Sequence, residues 1–173
     1  MARLVLSDAS PLIGLSFVDG LEWLPRLFGT VGIPEEVARE VLPGQERPGE
    51  SAIAAALDAG WLCLREGPRS SIPLPELDEG EAACIRMALG HDEPALVLMD
   101  ERMGRALALE AGIRVAGTAA VIGMARRQGL IPSARAVFER LHQSEFRIAA
   151  DVIRTVLDRV GESEGEQGRG AGR

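Results

Sequence analysis

Along the chain, short runs of uninterrupted apolar residues alternate with longer stretches whose apolar positions recur every three or four residues. The short runs are Leu4 to Ser7, Val31 to Ile33, Trp61 to Leu64, Ala95 to Met99 and Ile113 to Ala116. Runs that are apolar throughout, without alternation, belong to strands covered on both faces, the environment of a parallel sheet. Helical periodicity predicts helices over Pro11 to Phe17, Leu21 to Phe28, Pro34 to Leu42, Glu50 to Ala59 and Asp78 to Leu89. More follow over Glu101 to Ala111, Thr118 to Arg127, Ser133 to His142 and Ala149 to Val160. The last carries a stripe of Val152, Ile153, Val156, Leu157 and Val160. Proline opens the Pro34 helix, a D-x-x-E close to a capping box opens the Asp78 helix, and Gly112 and Gly129 stand where helices end. Strand-helix alternation of this kind predicts an α/β fold, a three-layer α/β/α sandwich on a mostly parallel five-stranded sheet. No internal repeat is present. One domain is expected over residues 1–161, and the Gly-, Glu- and Arg-rich stretch 162–173 reads as a disordered tail.

In an open parallel sheet, ligands bind beyond the carboxyl ends of the strands. Two predicted strands end in aspartate, Asp8 after LVLS and Asp100 after ALVLM. Each is either a helix cap, a role Asp favours, or one member of a carboxylate group. Glu81 heads an apolar stripe continued by Cys84, Ile85 and Ala88, whereas Glu79 precedes Ala83 and Arg86 on a more polar side. A carboxylate atop a buried face is costly without a partner, either the first-turn amides, an arginine or a cation. Glu40 lies late in its helix and by pattern alone reads as solvated. Four carboxylates gathered at one edge could not all remain ionised without a cation, because like charges raise one another's pKa. Mg²⁺ or Mn²⁺ would resolve this, and such ions activate water for hydrolysis of phosphodiesters.

Composition narrows the chemistry. All nineteen basic side chains are arginine. The absence of lysine excludes a phosphoacceptor receiver domain and a haloacid-dehalogenase-type phosphatase, and the latter's D-x-D is also broken by Ser10. No G-x-G-x-x-G follows the first strand and no G-K-[ST] occurs, which removes dinucleotide-binding and P-loop enzymes. Residues 1–100 carry a net −10 and residues 101–173 a net +3, suiting a metal site beside a phosphate-binding surface or, equally, an acidic protein with paired arginines. With no Tyr and six other aromatics in apolar patterns, base stacking is not supported. Cys63 and Cys84 form neither a disulfide framework nor a C-x-x-C. No apolar run reaches the length of a membrane span and no signal peptide is visible, so a cytoplasmic location is expected.

Five segments in order, SDASPLIGL, GIPEEVAREV, LDEGEAACIRMAL, LVLMDERMGRALALEAGIRVAGTAAVI and RQGLIP, resemble the PIN-domain family over roughly residues 3 to 160. The likeness is to a prokaryotic PIN-like branch reading D-x-S-P-L, I-P-x-x-V-x-x-E, L-D-x-G-E and D-E-R. It implies a three-layer α/β fold and a metal-dependent ribonuclease, such as the VapC-type toxins of toxin–antitoxin pairs. By that resemblance the family's four acids fall on Asp8, Glu40, Glu81 and Asp100, with Mg²⁺ or Mn²⁺ as cofactor, and its hydroxyl falls on Ser10. The resemblance also suggests that Arg102 and Arg105, just after Asp100, meet an RNA backbone; the alternative is that both are simply solvent-exposed. Thr118 is expected to cap its own helix, with contact to the site as a secondary role. RNA, an antitoxin protein and a second copy of the chain are the implied partners. The third acid is more often Asp in catalytic members, so the alternative is a PIN-like fold that has lost catalysis and serves as a protein-interaction module.

Overall fold

The computed structural model describes residues 4–163. Its sheet has five strands, all parallel: β1 (Leu4–Ser7), β2 (Val31–Ile33), β3 (Leu62–Leu64), β4 (Ala95–Leu98) and β5 (Arg114–Ala116), in the order β3-β2-β1-β4-β5. The fold is the three-layer α/β/α arrangement expected. β1 and β4 are buried along their whole length, which is why both read as unbroken apolar runs. They pair in register from Leu4 with Ala95 to Ser7 with Leu98. At the edges the burial relaxes, and Leu64 on β3 is exposed.

Chain direction along the sheet reverses between β1 and β4. From β1 the chain proceeds outward to β2 and β3, then returns to lay β4 on the other flank of β1. The carboxyl ends of these two strands therefore flank a switch point, the place where an open parallel sheet leaves a crevice. Asp8 follows β1 directly and its amide continues the ladder, donating to Leu98 O at 2.9 Å. Asp100 stands two residues past β4.

Two compact units divide at Thr118. The first holds the whole sheet together with α1 (Ala9–Ser16), α2 (Trp23–Phe28), α3 (Glu35–Val41), α4 (Glu50–Asp58), α5 (Glu79–Gly90) and α6 (Arg102–Glu110). Its core centres on Leu6, Leu12, Leu15, Ile33, Ile85 and Leu98, each fully buried, where each apolar side chain contributes about 1.5–3 kcal/mol. α5 is buried from Gly80 through Ile85 and packs against β1, β4, α3 and α6; Ala82, Ala83 and Cys84 are small enough for that close approach. α1 begins at Ala9, earlier than Pro11, because Pro11 lacks an amide only where a first-turn amide has no partner anyway.

The second unit contains α7 (Thr118–Arg127) beyond its first residue, α8 (Ala134–His142) and α9 (Ala150–Arg159). Its apolar residues include Val121, Ile122, Phe138 and Leu141. Ser133 caps α8, accepting from the Ala136 amide at 3.2 Å. Glu162, the first residue of the expected tail, is held firmly. Its carboxylate accepts from Arg126 Nε, Ser133 Oγ, Ala134 N and Arg135 N, each at 2.9 Å. Ser163 is also described, and the remainder of that tail, 164–173, lies outside the described residues. Among the described residues no helix is long and apolar enough to cross a membrane.

Candidate active site

Asp8 sits at the N-cap position of α1, yet its side chain makes no capping hydrogen bond. Only 4% of the residue is exposed, and its Oδ1 is buried without a hydrogen-bond partner. Burial pushes its pKa up to about 7 from an ordinary 3.8; the Ala9 amide opposes this, and the nearby charges of Asp78, Glu81 and Glu40 add to it. A cap is therefore not what Asp8 is for.

Glu81 is also 4% exposed. It closes a capping box on α5: the Glu81 amide donates to Asp78 Oδ1 at 2.8 Å, and the Asp78 amide donates to Glu81 Oε2 at 3.3 Å. One of its oxygens is thus the first-turn partner that its position suggests. The other, Oε1, is buried with no partner. Burial first, then the charge of Asp78, raises its pKa.

Glu40, near the end of α3, is exposed, as its sequence pattern suggested. It lines an open cleft with Glu36, Arg39, Asp78, Glu79 and Gly80. Although solvent reaches it, the surrounding protein and the Asp78 charge shift its pKa upward. Glu36, one turn earlier, is engaged elsewhere by Arg69 at 2.6 Å.

Asp100 has a different setting. The Thr118 amide donates to its Oδ1 and the Thr118 hydroxyl to its Oδ2, both at 2.7 Å. Burial raises its pKa, while the Thr118 bonds and the Arg105 charge work against that rise. Asp100 thus holds the first residue of α7, not its own helix, whose N-cap is Glu101. The expectation for Thr118 is corrected accordingly: its hydroxyl is spent on Asp100, and the residue is fully buried. Arg105 and Asp100 crowd the same glycine, since a Cβ on Gly117 would lie 2.6 Å from Arg105 Nη1 and 2.8 Å from Asp100 Oδ1. Arg102 is exposed at the start of α6, and Ser10 is half-buried in the first turn of α1.

Asp8, Glu40 and Glu81 thus share one electrostatic neighbourhood, and Asp78 belongs to it. Asp78 was not singled out by sequence pattern as a site residue, because the capping box alone explained it. Asp100 adjoins this group at the next strand end without entering its field. Among the described residues, no three acidic, His or Cys side chains stand close enough to ligate one ion as they are. Even so, a hard divalent ion fits these donors in kind. Two buried carboxylate oxygens lack any donor, a condition that native proteins resolve with a proton, a water or an ion. Cys84, fully buried among the acids, has its pKa pushed well up by burial and is no nucleophile.

A family model described as a PIN domain matches residues 4–162. No curated protein matches the chain. No solved structure matches it either. The family match covers both compact units and every acid named above, and the parallel five-stranded sheet agrees with it: the chain belongs to the PIN-domain family.

Proposed function

We propose that this chain is a Mg²⁺- or Mn²⁺-dependent endoribonuclease that hydrolyses RNA phosphodiester bonds as the toxin of a toxin–antitoxin pair. PIN domains are generally nucleases, typically use divalent metals and act on nucleic acid. The observation that carries the reading is the pair of buried, donor-less oxygens, Asp8 Oδ1 and Glu81 Oε1, in the common field with Glu40 at the sheet's carboxyl edge. The span of the family match supports taking residues 1–161 as one PIN-like domain. A cytoplasmic location and a homodimer complete the proposal.

In this reading Asp8, Glu40, Glu81 and Asp100 would hold the metal. When bound, the ion supplies an activated water and neutralises charge on the phosphoryl oxygens. Asp8 must give up its proton, and a pKa near 7 puts that ionisation within reach at neutral pH. Thr118 fixes the direction of Asp100 through two hydrogen bonds. Arg102, exposed at the head of α6, binds backbone phosphate as a fork of donors; Arg105 serves the same surface while steadying Asp100. Ser10, in the first turn after Asp8, offers a hydroxyl to the substrate.

The test is incubation of a mixed RNA pool with the purified chain and Mn²⁺, with and without chelator, beside Asp8→Asn. Cleavage that stops with chelator and is absent from the variant supports the reading; equal cleavage by the variant removes the site assignment. One observation favours a second reading, a catalytically inactive PIN-like interaction module: among the described residues no three acids converge on one point. No cleavage under any divalent ion, together with a stable complex with a protein encoded beside it, would decide for that module.

A further inference from the structure

The capping box at the head of α5 accounts for Asp78 Oδ1 and for one oxygen of Glu81. Three features are left over. Asp78 is exposed and lines the open cleft beside Glu40. Gly80, two residues on, is helical and buried where alanine would make the better helix. A Cβ at Gly80 would stand 3.1 Å from Asp8 Oδ1, 3.2 Å from Val37 Cγ2 and 3.5 Å from Asp78 Oδ1. One point in space thus lies against carboxylate oxygens of both aspartates, and the missing methyl group keeps the gap between them clear. The third feature is Asp8 Oδ1 itself, which borders that gap, is almost wholly buried and has no donor.

We infer that Asp78 is a further cation-facing carboxylate of this site, and that Gly80, by carrying no methyl group, leaves the oxygens of Asp8 and Asp78 free to face one divalent ion. The inference rests on the reading of the site as a divalent-metal centre. The geometry supports it, since Asp78 lines the same cleft as Glu40, and Asp78 Oδ1 and Asp8 Oδ1 both face the position of the absent Gly80 methyl group. Asp100, by contrast, already accepts a hydrogen bond from Thr118 on each oxygen. Mg²⁺ sheds water reluctantly and keeps several waters when bound. An exposed carboxylate at the cleft's lip suits contact through one of those waters, while buried Asp8 suits direct contact.

The capping role and the cation role separate experimentally. Asparagine caps a helix about as well as aspartate, so Asp78→Asn keeps the box and removes the charge. Mn²⁺ is titrated calorimetrically at neutral pH into the full chain, Asp78→Asn and Gly80→Ala, with melting curves recorded in chelator. The expected result is Mn²⁺ affinity about tenfold weaker in both variants, with the Asp78→Asn melting temperature in chelator at or above the parent's. Asp78→Asn binding Mn²⁺ as tightly as the parent overturns this inference alone and leaves Asp78 a cap. A parent that binds no Mn²⁺ overturns the metal-centre reading, and this inference with it. Should Gly80→Ala fail to fold, Asp78→Asn decides the matter by itself.

Discussion

At the scale of single residues, Asp8 shows what burial does to a carboxyl group and how a metal would answer it. With its pKa raised from 3.8 to about 7, the folded chain holds a proton that the unfolded chain releases between those values. The unfolded state then binds fewer protons, so without metal, stability falls as pH rises from about 4 to about 7 and levels off above. A shift of that size corresponds to roughly 4 kcal/mol as an upper bound. Asp8→Asn removes the part of this slope that Asp8 contributes and leaves the parts from Glu81, Glu40 and Asp100, whose pKa values are also raised. In chelator it should melt higher than the parent at pH 8 and show no such advantage at pH 4, because the carboxamide's own burial cost is the same at both. Adding Mn²⁺ at pH 8 should raise the parent's melting temperature and leave the variant's nearly fixed. A difference between parent and variant that does not change between pH 4 and pH 8 in chelator would show that Asp8 ionises freely in the fold.

Elements of secondary structure obey local chemistry closely enough that nearly all are legible. β1 and β4 announce themselves as unbroken apolar runs because both faces are covered. The capping box of α5 is written in D-x-x-E and forms as written. What pattern cannot supply is partnership between distant elements. Glu40 is a solvated helix residue by every local criterion, and only the family resemblance marked it. Thr118 stands 18 residues from the Asp100 it holds, and periodicity says nothing of a hydroxyl meeting the end of a neighbouring strand. Asp78 was hidden by the adequacy of its cap. Glu162 is the plainest case: composition assigns it to a tail, yet its carboxylate gathers four donors around the start of α8, where helix amides are unpaired and the dipole favours negative charge. Those donors hold its pKa down at about 2 in spite of burial. A depressed acid contributes stability that is present above its ordinary pKa of 4.5 and is lost as pH falls toward 2, here at most about 3 kcal/mol. Glu162→Gln would turn one oxygen into a donor facing donors. It should cost roughly 2 kcal/mol at pH 7 in urea unfolding, and the difference from the parent should shrink below pH 4. A variant as stable as the parent at pH 7 would return Glu162 to the tail.

For the molecule as a whole, net charge and the proposed substrate are at odds. The chain carries a net −7 and its first hundred residues a net −10, with the acids of the candidate site at the sheet edge, so RNA, the substrate proposed above, would approach against a repulsive field. Two things can offset that: a divalent ion among the carboxylates, and the arginines beyond residue 100. The first is tested by titrating Mn²⁺; the second can be measured with the ion removed, when no cleavage interferes. In chelator, RNA binding should be weak and steeply salt-dependent, because each phosphate neutralised releases counterions, with a slope near −0.7 per contact for a single strand. Arg102 is exposed, its guanidinium has no hydrogen bond or ion pair within the described residues, and it begins the helix that follows Asp100. Arg102→Gln should therefore leave the melting temperature unchanged, weaken binding to all RNA sequences alike, and make the log–log salt slope shallower by about 0.7. Fluorescence anisotropy with labelled RNAs of several sequences across 50–200 mM salt measures the binding and the slope, and a thermal melt measures the stability. An unchanged slope would mean that Arg102 meets no phosphate and that the RNA lies along another part of the surface.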